Sequence, residues 1–221
     1  MRRITSLLVV FAVICIAATA SADEKAVKLF NGKNLEGWGS FAFKSDAKID
    51  DIWSVKDGVM VCKGEPLGYL YTKQDYDNYK LTVEWRWPDK PGNSGILLRI
   101  AADPVSFLPK CAEAQLKAGS AGDIYGFYGC TIKGPEDRFK IANSPALGEI
   151  HALPKIKAAE KKPGEWNTAE VTVDGGTITV VVNGEEINQA TDCNVASGRI
   201  GLQSEGGEIH FRTVELVPIT K

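Results

Sequence analysis

The stretch Tyr79-Lys-Leu-Thr-Val-Glu-Trp-Arg-Trp87 constrains the fold more than any other part of the chain. Tyr79, Leu81, Val83, Trp85 and Trp87 share one side of an extended backbone, and Lys80, Thr82, Glu84 and Arg86 share the other. That alternation, with large apolar residues on one side only, describes a strand with a single buried face; a helix would scatter the same residues around its axis. Such a face needs a second layer to cover it, and the chain offers more strands. Trp53 to Val61 reads as a hairpin turning at Asp57-Gly58. Ala169 to Asp174 and Thr177 to Val182 form another around Gly175-Gly176, and Asn183-Gly184 turns the chain again towards Glu185 to Ile187. Arg199 to Gln203 and Glu208 to Val217 close it. Turn signals at short spacing between alternating runs predict an all-β sandwich. Residues 101–150 are rich in Gly, Pro and Ala with few clear strands, and Leu153 to Lys162 is Lys-rich; both are expected to be loops over the sandwich.

The first 22 residues are expected to lie outside this fold. Arg2-Arg3, an apolar run from Ile4 to Ala18 and the small residues Ala20-Ser21-Ala22 have the pattern of a signal peptide cut near Ala22, which implies a periplasmic or secreted protein. Cys15 admits a lipoprotein reading, but Ile14 stands where a lipobox wants a small residue. Residues 23–221 then form one domain, and no later segment reads as a membrane span. Of 26 basic residues, Arg2 and Arg3 go with the leader; the other 24 against 28 acidic ones give a net charge of −4, with no basic cluster to suit nucleic acid. Cys62, Cys111, Cys130 and Cys193 remain, and three pairings are open. Cys111 with Cys130, bracketing a Gly-rich loop, is the favoured disulfide candidate.

Eight segments in order carry a family resemblance: "LFNGKNLEGW", "WSVKDGVMVCKG", "GYLYTKQDYDNYKLTVEWRW", "GNSGILLR", "EAQL", "GDIYG", "GEWNTAEVTVDGGTITVVVNG" and "GRIGLQSEGGEIHFRTVEL". Together they resemble the 3-keto-disaccharide hydrolase domain family over nearly all of residues 23–221. The resemblance implies a concanavalin A-like jelly-roll sandwich of two antiparallel sheets, export, and action on 3-keto-glycosides. The chain departs from the family pattern where Glu205 replaces a common His, where Thr213 replaces an Asn, and where Lys117 follows Leu116 in place of a longer run with Asp. In such sandwiches the first strand pairs near the last. Asn31-Gly32 and Trp38 are accordingly expected to make a structural clasp, with direct sugar contact by Trp38 as the other reading.

A glycosidase of the usual kind sets two carboxylates across an oxocarbenium-like transition state. The Glu-x-Asp-x-x-Glu string of jelly-roll laminarinases is missing from this sequence. A 3-keto sugar allows another route: the ketone acidifies the C2 hydrogen, a base removes it, the C1 substituent leaves, and water adds to the enone. That chemistry needs a base, a donor or cation at the ketone oxygen, and an acid at the leaving oxygen. Glu84, Arg99, Glu113 and Gln115 are expected to line a concave sheet face, Glu113 as the base and Arg99 holding the oxygen. The bland alternative makes Glu84 and Arg99 a structural ion pair. Tyr125 can stack on a sugar ring. Asn93, Gln203 and Glu205, at strand ends, are further substrate-binding candidates. The cofactor stays open: a divalent metal ion can polarise a ketone, and Glu149 with His151 lack an evident third ligand. His210 is expected to be solvated or hydrogen-bonded. Two other classes compete with the enzyme: a non-catalytic carbohydrate-binding module on the same sandwich, and an envelope interaction protein presenting an apolar patch.

Overall fold

A computed structural model describes residues 25–43, 46–101, 103–104 and 106–220. The leader and Cys15 lie outside the described residues. Sixteen strands and one short helix follow in chain order: β1 Val27–Lys28, β2 Trp38–Ala42, α1 Ile49–Ile52, β3 Trp53–Lys56, β4 Val59–Cys62, β5 Gly68–Thr72, β6 Tyr79–Arg86, β7 Gly95–Ile100 and β8 Cys111–Gln115. Then come β9 Ile124–Phe127, β10 Lys140–Ser144, β11 Gly148–Leu153, β12 Asn167–Asp174, β13 Thr177–Val182, β14 Glu185–Ala190, β15 Arg199–Ser204 and β16 Ile209–Pro218. They form two antiparallel sheets of a jelly-roll sandwich. The first runs β14-β13-β12-β6-β16-β4-β3 with β1 on β16; the second runs β10-β11-β9-β8-β7-β15-β5-β2.

Strand β6 sits mid-sheet, and its alternation is realised as expected: Tyr79, Leu81, Val83 and Trp85 are buried in the core between the sheets. The second sheet answers with Ile96, Leu98, Ala112, Ala114, Ile124, Ile200 and Leu202. Burying these faces against each other is the main favourable contribution to folding. The Asp57-Gly58 and Asn183-Gly184 turns take the positive φ values that tight hairpins demand. The opening loop is a clasp. Val27 pairs with Leu216, the Asn31 side chain accepts from the Lys33 and Asn34 N–H groups at 2.7 and 3.0 Å, and Trp38 is buried in the core, donating Nε1–H to the Leu29 carbonyl at 2.8 Å.

Three expectations are corrected. Residues 101–150 hold four strands, β8 to β11, not a loop; their small residues blunt the alternation signal. They join the rest of the sheet through β7, which pairs with β8. The Cys111–Cys130 bridge is not formed, and all four described cysteines are free. Cys111 faces a smaller aromatic cluster on the outer side of the second sheet, while Cys130 turns into the main core, where its Sγ lies 4.0 Å from that of Cys193.

The third correction concerns Arg99. Between Leu97 and Ile100 strand β7 carries one residue more than β15 does between Gly201 and Arg199. Arg99 takes a φ of +51° at this bulge. The bulge breaks the parity that would set Arg99 beside Gly95 and Leu97. Its side chain, 1% exposed, donates instead to the carbonyls of Asp77 (2.9 Å from Nε), Gly175 (2.6 Å) and Val195 (2.8 Å). It thus ties three connecting segments at one end of the sandwich. Arg99→Met leaves those carbonyls without a donor and is expected to cost about 3–5 kcal/mol of stability; the midpoint of urea unfolding measures it.

Candidate functional site

The outer face of the second sheet carries the polar side chains that the core cannot take. Across it, strand register lines up Tyr71, Gly201, Leu97, Glu113 and Tyr125 on five adjacent strands. Glu113 is 1% exposed and its Oε1 has no hydrogen-bond partner. The carboxyl leans over Gly95, so close that a Cβ on Gly95 would lie 1.8 Å from Oε1. Glycine at 95 is therefore what makes room for the acid.

Other buried polar atoms without a partner, among the described residues, gather beside it. Asn93 Oδ1 is one, and both amide atoms of Gln203 are others, though Gln203 is 1% exposed. Tyr79 Oη and Trp85 Nε1, in the core, complete the set. Buried polar atoms are nearly always paired, so this concentration on one face marks groups kept for something other than folding. Gln203 is held by its backbone, whose carbonyl accepts from Ser94 Oγ at 2.7 Å. Asn93 is drawn to the Glu205-Gly206 turn by its N–H, which donates to the Gly206 carbonyl at 2.7 Å. Gly92 allows that approach, because a Cβ there would meet the Gly206 carbonyl at 2.4 Å.

The charges near Glu113 oppose its ionisation. Burial, then the carboxylates of Glu205 and Asp123, hold the Glu113 carboxyl well above the usual range. Glu205 is half-buried, and burial pushes it up to about 7 against the pull of Lys117 and the nearby Gln203 amide. Burial and the charges of Asp123 and Glu113 raise the Tyr125 hydroxyl, so it stays protonated. Asp123 was not singled out from the sequence, although it shares parity with Tyr125 in "GDIYG". Its Oδ2 sits 3.4 Å from Tyr125 Oη, and Oδ1 accepts from the Lys155 N–H at 2.9 Å.

The expected residues divide. Glu113, Tyr125, Asn93, Gln203 and Glu205 gather on this face. Gln115 is there too, but its Oε1 accepts from the Leu116 and Lys117 N–H groups at 2.9 and 2.8 Å, so it shapes the loop after β8. Glu84 does not join them. It lies on the outer face of the other sheet, where Arg212 grips it with two hydrogen bonds (3.0 and 2.6 Å) and holds its carboxyl below the usual range. Arg99 does not join them either, for the reason given by its bulge, and the two make no ion pair with each other. His210 bonds Glu208 at 2.7 Å. His151 meets Glu149 at 3.1 Å and the Ile132 carbonyl at 3.0 Å. Among the described residues, no group of three or more His, Cys, Asp or Glu side chains is arranged to hold a metal ion. No helix among them is long and apolar enough to cross a membrane.

The profile of the 3-keto-alpha-glucoside-1,2-lyase-like domain matches residues 25–217. The chain belongs to this family. A 3-keto-disaccharide hydrolase of Bacteroides thetaiotaomicron is 23% identical over 240 residues, spanning 86% of this chain and 77% of that protein. Family and relative together support a carbohydrate-active role. Among solved structures, a provisionally assigned glycosyl hydrolase from Parabacteroides distasonis superposes with a TM-score of 0.64 at 22% identity, covering 88% of this chain and 94% of that one. The carbohydrate binding module CBM66 from Bacillus subtilis superposes at 0.56 and 10% identity, covering 80% and 93%. At such identities the likeness shows the fold alone, and enzymes and binding modules of this kind share it.

The raised carboxyl of Glu205 has a sign that can be tested. A carboxyl at about 7 in the folded protein and 4.5 ordinarily favours folding below pH 4.5. That contribution is lost as pH rises through 7, to the extent of about 3 kcal/mol. Glu205→Gln is expected to raise Tm at pH 8 by about 5–10 °C and to match the parent near pH 4. Thermal melts across that range read it, and a gap independent of pH would contradict a raised Glu205.

Proposed function

We propose that the protein is an exported enzyme that cleaves 3-keto-glycosides, with Glu113 as the base. The observation that carries this reading is the buried carboxyl of Glu113, its Oε1 unpartnered, beside the unpartnered amide of Gln203. Family membership directs it to oxidised sugars.

The chemistry assigns one group to each need. Glu113 takes the C2 proton, and the C2–H electron pair forms an enolate whose charge rests on the C3 oxygen. The Gln203 amide is the donor to that oxygen, a role that Arg99 is placed too far away to fill. The enolate then reforms the ketone with a C1–C2 double bond, expelling the C1 substituent with its bonding pair. Protonated Glu205 supplies the proton to the leaving oxygen. Water adding at C1, with a proton returned to C2, completes a hydrolysis; release of the enone makes the same enzyme a lyase. Tyr125, kept neutral, offers its ring to the sugar.

Glu113 is held above the usual carboxyl range by burial and by Glu205, and burial pushes Glu205 up to about 7, so the two titrate as a coupled pair. The working form carries one proton, on Glu205, with Glu113 ionised; because Glu113 holds its own proton tightly, this form is a minor share of the singly protonated pair. Losing that proton or adding a second stops the cycle, which gives a bell-shaped rate profile.

The test uses residues 23–221 with 3-keto-trehalose and 3-keto-lactose, following free glucose and enone absorbance, with and without EDTA. Glu113→Gln is expected to lower kcat by about 10²–10⁴-fold, and an EDTA-sensitive rate would add a divalent ion. Gly95→Ala displaces the flexible end of Glu113 and not the backbone, so it is expected to fold near parental stability yet lose about 100-fold in kcat. Sugar binding without turnover on several 3-keto sugars would replace the enzyme by a binding module.

A further inference from the structure

Of the four described cysteines, Cys130 and Cys193 meet, with Sγ atoms 4.0 Å apart inside the main core. They belong to different sheets. Cys130 follows β9 of the second sheet, and Cys193 follows β14, the edge strand of the first. The two connecting segments run side by side. Lys133 and Thr191 exchange backbone hydrogen bonds at 2.7 and 2.9 Å, and the Asn194 N–H donates to the Thr131 carbonyl at 3.2 Å. The Asn194 side chain accepts from the Thr131 N–H at 2.9 Å and donates to the Gly129 carbonyl at 2.9 Å, so it grips the chain on both sides of Cys130. Antiparallel backbones paired in this way set facing Cα atoms about 4.5–5.5 Å apart, inside the range that a disulfide spans. Closing the sulfur gap needs a shift of about 2 Å, within reach of side-chain rotation. Cys111, on the outer side of the second sheet, and Cys62, which takes the Gly64 N–H at 3.3 Å, sit elsewhere.

We infer that Cys130 and Cys193 form a disulfide that staples the two sheets together, with Cys193 as the attacking sulfur and Cys130 as the resolving one. The inference goes beyond the cleavage reading and does not rest on it. Cys193 is the more exposed of the two, 8% against 1%. Its Sγ lies 3.8 Å from the Val195 carbonyl, to which Arg99 donates at 2.8 Å, so a fixed positive charge stands close by. Donation from the Cys130 thiol, helped by the Arg99 guanidinium, holds the Cys193 thiol below its ordinary value against the pull of burial. The same donation, and then burial, raise the Cys130 thiol. The oxidant is a small-molecule or protein disulfide, RSSR. The Cys193 thiolate attacks one of its sulfurs and expels RS⁻. Cys130 gives up its proton, attacks the Cys193 sulfur and expels the second RS⁻. Two cysteine thiols become one disulfide, RSSR is reduced to two RSH, and the two cysteine protons end on those thiols. The bond joins positions 63 apart and closes a loop that holds β10 to β14. That withdraws freedom from the unfolded chain.

The experiment uses residues 23–221 in glutathione buffers, with oxidised glutathione as RSSR. Reactive thiols counted in denaturant are expected to fall from four to two. Mass spectrometry of unreduced peptides then shows Cys130 joined to Cys193, with Cys62 and Cys111 alkylated. The oxidised protein is expected to melt about 5–15 °C above the reduced one. Each variant is compared with itself under oxidised and reduced glutathione, so a general loss of stability cancels. Cys130→Ala and Cys193→Ala both lose the redox-dependent shift. Cys130→Ala takes up one glutathione, on Cys193, whereas Cys193→Ala takes up none on Cys130; the reverse would overturn Cys193 as the attacking sulfur. Four thiols persisting under oxidised glutathione, or a bond from Cys111 to Cys130, would overturn the pair. Should either variant fail to fold, the peptide map and melts of the parent decide alone.

Discussion

Everything in this protein depends on each sheet burying one face against the other. Strand β6 shows it most plainly. Tyr79, Leu81, Val83 and Trp85 fill the space between the sheets, so Lys80, Thr82, Glu84 and Arg86 must point the other way. The second sheet obeys the same parity, and whatever it does not send inward is displayed on its outer face. That face is not blank: Leu97, Cys111, Phe127 and Tyr69 give it a small apolar cluster of its own. Polar side chains set among these residues lose water without gaining partners, and that desolvation is what moves the Glu113 and Glu205 carboxyls upward.

The site is therefore expensive to keep. An orphaned carboxyl oxygen and an orphaned amide are groups that folding alone would remove. Glycines concentrate around them for a steric reason: Gly95 yields space to Glu113, and Gly92 lets the Glu205 turn approach Asn93. A stable sandwich would tolerate larger residues at neither position without shifting the acids. Close approach of this kind beside a cluster of unpaired polar groups is the usual mark of a site held for a ligand. The fold by itself does not carry that meaning, since lectin-like modules and glycosidases share it.

Much of this was legible in the chain. Period-two alternation told which side chains of β6, β12 and β13 face the core, and Asp57-Gly58 and Asn183-Gly184 told where hairpins turn, because those rules involve only neighbours in sequence. The parity of Glu113 with Gln115 on one strand, and the place of Gln203 and Glu205 at the end of another, were also readable. Three things were decided only by the tertiary structure. Which sheet a strand joins put Glu84 opposite Arg212, on the far side of the molecule from Glu113, and no local pattern states sheet membership. One extra residue at the Arg99 bulge reversed its direction, since a bulge is set by the partner strand as much as by its own sequence. Finally, desolvation made carboxyls of ordinary appearance into acids with raised pKa values, because burial belongs to the assembled sheet and not to any one segment.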